Sequence, residues 1–415
     1  MQQFHVLSFE GPDPYARAGG LATRVEGLVG ALAGLGFETH LWFVGDPALP
    51  GHERSGALHL HRWAQWISRY HPGGVYDGEI GKQHEYASSL PPFLLEQVLA
   101  PHLRRGGRAV VLAEEWHSAD ALLHLHWLLE REGLRESVTL LWNANNTFGF
   151  ERIDLRGIAA AATVTTVSRY MKHCMRQQGV DALVVPNGLP QDAFAPPDRA
   201  ACAELRRRFG ARTVLAKVAR WDPDKSWIAA VDTIAFMKGA GWKPLLLARG
   251  GAEPHGAEVR AAMRARGLRR VERGWREPGA RGLLAALADV GDADVVELRS
   301  HVDAGARRVL LRGADAVLAN SRHEPFGLVG LETMAAGGIA CTGCTGEDYA
   351  VPGRNALVLE TEDPGEFARL FERLRRSPAE MRAMRHAARA TARQFAWPEV
   401  VRRVLLPRVE LAAQA

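Results

Sequence analysis

The sequence predicts an α/β protein made of two doubly wound domains with parallel sheets. Three observations lead there. Short apolar runs of strand length alternate with helical stretches along most of the chain, the pattern of parallel strands joined by crossover helices. At 415 residues there is enough chain for two hydrophobic cores. The segment from Asp192 to Asp198, with Pro190, Pro196 and Pro197 around it, reads as a linker and divides the chain into domains at about 1–190 and 195–393.

Composition narrows the function classes. The chain is 47% hydrophobic and 24% charged, as expected of a globular protein. A net charge of +5 comes mostly from Arg scattered among Asp and Glu, with no long basic run, which favours a small anionic ligand over nucleic acid. No stretch has the 18 or so consecutive apolar residues of a membrane span, and the N-terminus lacks a charged-then-apolar leader, so a cytoplasmic location is expected. Of the four cysteines, Cys341 and Cys344 form a lone C-x-x-C without a second pair, which predicts reduced thiols rather than zinc.

The expected strands of the first domain are Phe4–Phe9, Glu38–Val44, Ala109–Ala113, Val138–Trp142, Thr163–Val167 and Leu183–Val185. Ligands of such a sheet belong at the C-terminal ends of its strands. After the first strand comes Arg17-Ala18-Gly19-Gly20, leading into a helix with apolar positions at Leu21, Val25, Leu28, Val29, Leu32 and Leu35. A Gly-Gly loop at that place lets backbone N–H groups approach a phosphate without a Cβ in the way. Residues 45–81, rich in Gly, Pro, His, Trp and Arg, read as irregular. Trp63, Trp66, Tyr70 and Tyr76 there suit either sugar stacking or plain loop packing.

In the second domain, strands are expected at Arg212–Ala219, Pro244–Ala248, Val295–Leu298 and Ala316–Ala319. The last of these runs into Asn320-Ser321-Arg322-His323-Glu324-Pro325-Phe326-Gly327-Leu328-Val329-Gly330-Leu331-Glu332. Pro325 suits the first turn of a helix, which places Glu324 at a strand-to-helix elbow and Glu332 two turns further on. Eight residues of helix separate the two carboxylates by on the order of 12 Å. The first amides of the helix, at Phe326, Gly327, Leu328 and Val329, then face an anion between the two acids. A nucleoside diphosphate sugar has that layout, with hydroxyls at both ends and a diphosphate in the middle.

At these residues the chain resembles the retaining glycosyltransferases of the GT-B fold, the group of glycogen, starch and sucrose synthases, whose Glu-x7-Glu signature Glu324 and Glu332 match in spacing and context. The resemblance implies two Rossmann-like domains facing a cleft, with residues 394–415 returning to the first domain as a closing helix. By it Glu324 contacts the donor sugar and Glu332 the ribose. Arg220 and Lys225, in Arg-x4-Lys after the first strand of the second domain, resemble the diphosphate clamp of these enzymes. His117 holds the place of the last His of the His-Asp-Trp-His of glycogen synthases, with Glu115 where Asp is usual, and Asn143 replaces a histidine of the family. The Arg17-Gly19-Gly20 loop is similar to Lys-x-Gly-Gly-Leu. Thr345-Gly346 stands where Thr-Gly-Gly lies near the phosphates, with Glu347 in place of the second glycine.

The function implied is transfer of a hexosyl group, glucosyl above all, from a nucleoside diphosphate sugar such as UDP-glucose or ADP-glucose to a hydroxyl acceptor such as a sugar or glucan, with retention of configuration. Alternatives are a nucleotide-sugar epimerase of the same fold and a catalytically silent nucleotide-sugar-binding protein. No cofactor and no divalent metal is expected. Asp222-Pro223-Asp224 is the one rival for a metal, and Arg220 and Lys225 flank it.

Overall fold

The computed structural model describes residues 2–343 and 345–413. They form two compact units, Met1–Gly188 with Phe395–Ala415, and Leu189–Gln394.

The strands of the first unit are β1 (Gln2–Leu7), β2 (Glu38–Val44), β3 (His52–Ser55), β4 (Leu58–Trp63), β5 (Arg108–Glu114), β6 (Val138–Ala144), β7 (Thr163–Thr166) and β8 (Leu183–Val184). Their order in the sheet is β3-β4-β2-β1-β5-β6-β7-β8, and the pair β3–β4 alone is antiparallel among the strands described. The central strands are buried on both faces, which explains their continuous apolar runs (Val110-Val111-Leu112, Leu140-Leu141-Trp142). One face is covered by helices Glu79–Phe93 and Ala119–Arg131, packed on Leu7, Trp42, Val111 and Trp142. The other is covered by helix Gly20–Gly34 and by the chain's last helical segment, through Trp397, Val400, Val401, Leu405 and Val409. That segment, Trp397–Ala412, closes tightly on the first unit: a Cβ on Gly27 would lie 2.0 Å from the Trp397 Nε1.

The second unit holds β9 (Thr213–Val218), β10 (Pro244–Arg249), β11 (Arg270–Arg273), β12 (Val295–Leu298), β13 (Ala316–Ala319), β14 (Ala340–Thr342) and β15 (Leu357–Val358). They form one parallel sheet, β11-β12-β10-β9-β13-β14-β15. Each unit therefore reverses its strand order once at the middle of the sheet, at β1/β5 and at β9/β13, and the loops leaving those paired strands diverge to opposite faces.

Two expectations are corrected here. Residues 45–81 are not irregular: they contain the β3–β4 hairpin, turned at Gly56 with φ +61°, a short helix Gln65–Ser68 and the start of helix Glu79–Phe93. Trp63 packs on Trp42 and Phe93, whereas Trp66 and Tyr70 are exposed. The second correction concerns the signature helix, which spans Leu328–Ala336 and begins three residues later than Pro325 suggested.

Candidate functional site

The strand-order reversal of the second unit brings two loops together. β9 and β13 are neighbours, so the residues that follow them, Arg220 to Lys225 and Asn320 to Gly327, emerge side by side. There Lys225 Nζ lies 2.6 Å from Glu324 Oε2, with both side chains largely shielded from solvent. Arg220 is exposed and forms no ion pair among the described residues. Its carbonyl accepts a hydrogen bond from Trp227 Nε1 at 2.7 Å, which anchors the turn. Asp222 accepts from the Asp224 amide at 2.9 Å, capping the short turn Pro223–Lys225.

Beneath this pair lies a second layer that sequence reasoning did not assign. Lys217, in the middle of β9, is fully buried and donates to Asn320 Oδ1 at 2.8 Å and to the Leu318 carbonyl at 3.2 Å. Burial pulls its ammonium down to about 7. Glu347 is buried, neither of its carboxyl oxygens has a hydrogen-bond partner, and burial, with Glu324 as second cause, pushes it up to about 8. A lysine inside an otherwise apolar strand and an acid replacing the family's glycine were the signals available for these two.

The loop around Glu324 is held by backbone contacts. Its amide donates to Thr345 Oγ1 at 3.0 Å. Gly346 passes so close beneath that a Cβ there would lie 2.0 Å from the Glu324 carbonyl. Thr345 and Gly346 thus support the elbow. The signature helix is capped at Gly327, whose carbonyl accepts from the Tyr349 hydroxyl. The Leu328 amide donates back to the Phe326 carbonyl at 3.0 Å. The Leu328 amide is thus engaged, while the amides of Val329 and Gly330 at the helix start have no intrahelical acceptor. Only Leu328 to Glu332 is helical between the two acids, so the 12 Å axial spacing does not apply to the whole interval. Glu332 is paired with Arg307, which reaches it from helix Ala304–Gly313.

In the first unit, the residues after β1 and β5 form a polar cluster. Glu10 leaves β1 and turns its Oε2 into the Gly-Gly loop, accepting from the amides of Ala18 (3.3 Å), Gly19 (2.9 Å) and Ala22 (3.1 Å). Its Oε1 accepts from the Tyr76 hydroxyl at 2.6 Å. The expectation that Gly19 offers its amide to a phosphate is thus corrected: the protein's own carboxylate holds it, with the same preference for negative charge that a bound anion would satisfy. Gly20 begins the helix, and Arg17 pairs with Glu26 at 2.7 Å at the surface.

His117 is buried, stacked on Phe9 and Trp116, with Nε2 2.7 Å from Glu79 Oε1. Burial lowers its pKa, opposed by Glu79, which favours the neutral ring. Neighbouring Glu115 adopts φ +67°, a strained conformation for a residue with a Cβ. Burial pushes its carboxyl up to about 8, although it accepts from the Asn145 amide at 2.7 Å. Glu114 and Asn143 are structural. Arg24 binds both Glu114 oxygens at 3.0 Å, and Asn143 Nδ2 donates to Glu114 Oε2 at 3.0 Å.

Among the described residues, one group of three side chains has the spacing of metal ligands. His40, His59 and His61 lie with one ligand atom of each within 4.8 Å of the others, in β2 and β4. Cys341 is buried in β14, its thiol pushed up by burial, and Cys344 lies outside the described residues.

Residues 287–392 match the family of glycosyl transferases group 1. Over 232 residues the chain is 29% identical to D-inositol 3-phosphate glycosyltransferase of Actinosynnema mirum, covering 54% of this chain and 50% of that one. Over 118 residues it is 33% identical to the protein of the same name from Streptomyces avermitilis, covering 28% and 25%. The matches thus span half or less of these curated relatives. Among solved structures, sucrose-phosphate synthase from Thermosynechococcus elongatus superposes with a TM-score of 0.67 at 21% identity, covering 100% of both chains. The catalytic domain of starch synthase IV from Arabidopsis thaliana, bound to ADP and acarbose, superposes with a TM-score of 0.68 at 15% identity, covering 99% of both. At such identities the likeness is one of fold. The chain has the GT-B fold, and its segment 287–392, which carries Glu324, Glu332 and the helix between them, matches the glycosyl transferases group 1 family.

Proposed function

We propose that the protein is a retaining glycosyltransferase that moves a hexosyl group, glucosyl by preference, from a nucleoside diphosphate sugar to a hydroxyl of a carbohydrate or other small acceptor. The observation that carries this reading is the Lys225–Glu324 pair at the strand-order reversal of the second unit, with the exposed Arg220 on the same loop. In the free protein Lys225 and Glu324 neutralise each other. A donor diphosphate takes Lys225 and Arg220 as counterions and releases Glu324 to the hydroxyls of the sugar. Glu332 exchanges Arg307 for the ribose hydroxyls in the same way. The two cations and the amides at the start of the signature helix then stabilise the diphosphate as its charge develops, an electrostatic contribution that requires no divalent metal.

Support comes from the matched domain and from a fold neighbour solved with ADP. In the first unit, His117 is the candidate for contact with substrate. The reading takes the cytoplasm as its setting; no helix among the described residues is long and apolar enough to cross a membrane. The test is a screen of nucleoside diphosphate sugars for saturable binding, followed by acceptors offered to the one that binds and assignment of the product anomer by NMR. Retention with transfer is expected. Binding of none of them, or an inverted product, overturns the reading.

A further inference from the structure

The second unit contains a cavity of about 620 Å³ whose lining is dominated by positive charge. Arg199 and Arg206 reach it from helix Arg199–Arg208, Arg312 from helix Ala304–Gly313, and Arg385, Arg389 and Arg393 from helix Pro378–Arg393. None of the six forms an ion pair among the described residues. Arg206 donates instead to the Arg312 carbonyl at 2.9 Å, and Arg389 to the Phe194 carbonyl at 3.1 Å.

Three guanidinium nitrogens here are buried without any acceptor: Arg312 Nη1, Arg385 Nε and Arg389 Nε. Two acids lie close by: Asp315 turns its Oδ2 to the Val214 amide at 2.8 Å and Asp198 its Oδ1 to the Ala201 amide at 3.0 Å; neither forms an ion pair with the six arginines, although Asp315 offsets part of the charge at Arg385. Like charges so placed repel. Burial, then Arg312 and Arg206, pulls the Arg385 guanidinium down to about 10. Six arginines with so little opposing charge are costly to hold together unless an anion completes the cluster. Guanidinium forks match phosphoryl oxygens in geometry, and the volume is that of a small-molecule site. The cavity is also separate from the Lys225–Glu324 pair. It is lined by Ala336 and Gly337 at the C-terminal end of the signature helix, whereas Glu324 precedes the N-terminal end.

We propose that this arginine-lined cavity binds a small molecule carrying two or more phosphoryl groups, as a second ligand site distinct from the one that holds the donor. A single phosphate is too small to meet guanidiniums contributed by three helices; a ligand with several phosphoryl groups reaches them together.

Pyrophosphate is the probe, titrated calorimetrically into the intact protein in neutral, phosphate-free buffer of low ionic strength, with Lys225→Ala used to silence the donor site. Saturable binding is expected to survive Lys225→Ala, to weaken at least about tenfold in Arg385→Met through loss of a charge-assisted fork, and to exceed that of inorganic phosphate. Arg393→Met, altered at an exposed position on the rim, provides the same comparison should Arg385→Met fail to fold. Removing a like charge should leave the unfolding temperature of the ligand-free variants equal to or above that of the wild type. The proposal is overturned by coincident titrations of the wild type and the arginine variant. It is likewise overturned by pyrophosphate binding that disappears in Lys225→Ala, or by inorganic phosphate binding as tightly as pyrophosphate.

Discussion

Lys225 and Glu324 are 99 positions apart in the chain, yet Nζ and Oε2 meet at 2.6 Å because β9 and β13 are adjacent and parallel where the strand order reverses. In the proposed function a donor separates the pair, taking the cation for its diphosphate and the carboxylate for its sugar. Lys225→Ala is expected to lower kcat/KM by about a hundred- to a thousandfold, the usual cost of removing one preorganised charge, and added Mg²⁺ or Mn²⁺ should not restore it. Turnover by the wild type should persist in excess EDTA. Activity that vanishes with the chelator and returns with metal would show that Asp222 and Asp224 are ligands.

Glu332 contacts Arg307 in the free protein and is proposed to contact a part of the donor that does not react. Its interactions are then nearly the same in ground and transition states. Glu332→Ala should raise the donor KM about ten- to a hundredfold, the loss of hydrogen bonds to a charged group, with kcat within a few-fold of wild type. A fall in kcat at unchanged KM would reverse the assignments of Glu332 and Glu324.

Glu347 makes stability depend on pH. Burial raises its carboxyl from 4.5 to about 8, so in that window the folded state holds a proton that the unfolded chain has lost. Its share of stability is complete below 4.5 and is lost as pH rises through about 8. Glu115 has the same sign, so the comparison must be with a variant. Glu347→Gln should match the wild type in acid and exceed it by on the order of 5 kcal/mol at the alkaline end, read by denaturant unfolding across pH. Parallel curves for the two proteins would rule out a proton on Glu347.

Glu10 anchors the start of helix Gly20–Gly34 by accepting from three amides. Glu10→Ala should cost about 1–3 kcal/mol through the amides left unpaired, and sulfate should recover part of the loss by entering the vacated loop. Unchanged stability without sulfate would mean that the amides find other acceptors.

The positions of the candidate residues were legible in the sequence to different depths, for identifiable reasons. Val295–Leu298 and Ala316–Ala319 were read with their observed bounds, because parallel strands buried on both faces appear as short, mostly apolar runs, the second unbroken and the first interrupted only by Glu297. The β3 strand was missed because all four of its residues are exposed at the sheet edge and carry no apolar pattern. In β4 the alternation of Leu58 and Leu60 with His59 and His61 was present, but it was masked by the surrounding Gly, Pro and aromatic residues.

What the sequence by itself determined was the alternation that builds two parallel sheets, and the residues Arg220, Lys225, Glu324 and Glu332 with their local spacing. These are properties of short stretches, set by the hydrophobic period and by motif context. What only the tertiary structure decided was partnership. Glu10 fills the Gly19 loop, Arg307 holds Glu332, Glu347 and Lys217 lie beneath the Lys225–Glu324 pair, and the helix begins at Leu328 where Gly327 is gripped by Tyr349. Each of these contacts joins segments brought together by strand order or by loop packing. The charge and hydrogen-bonding state of such a group depends on neighbours distant in the chain, and these come within reach only when the sheets form.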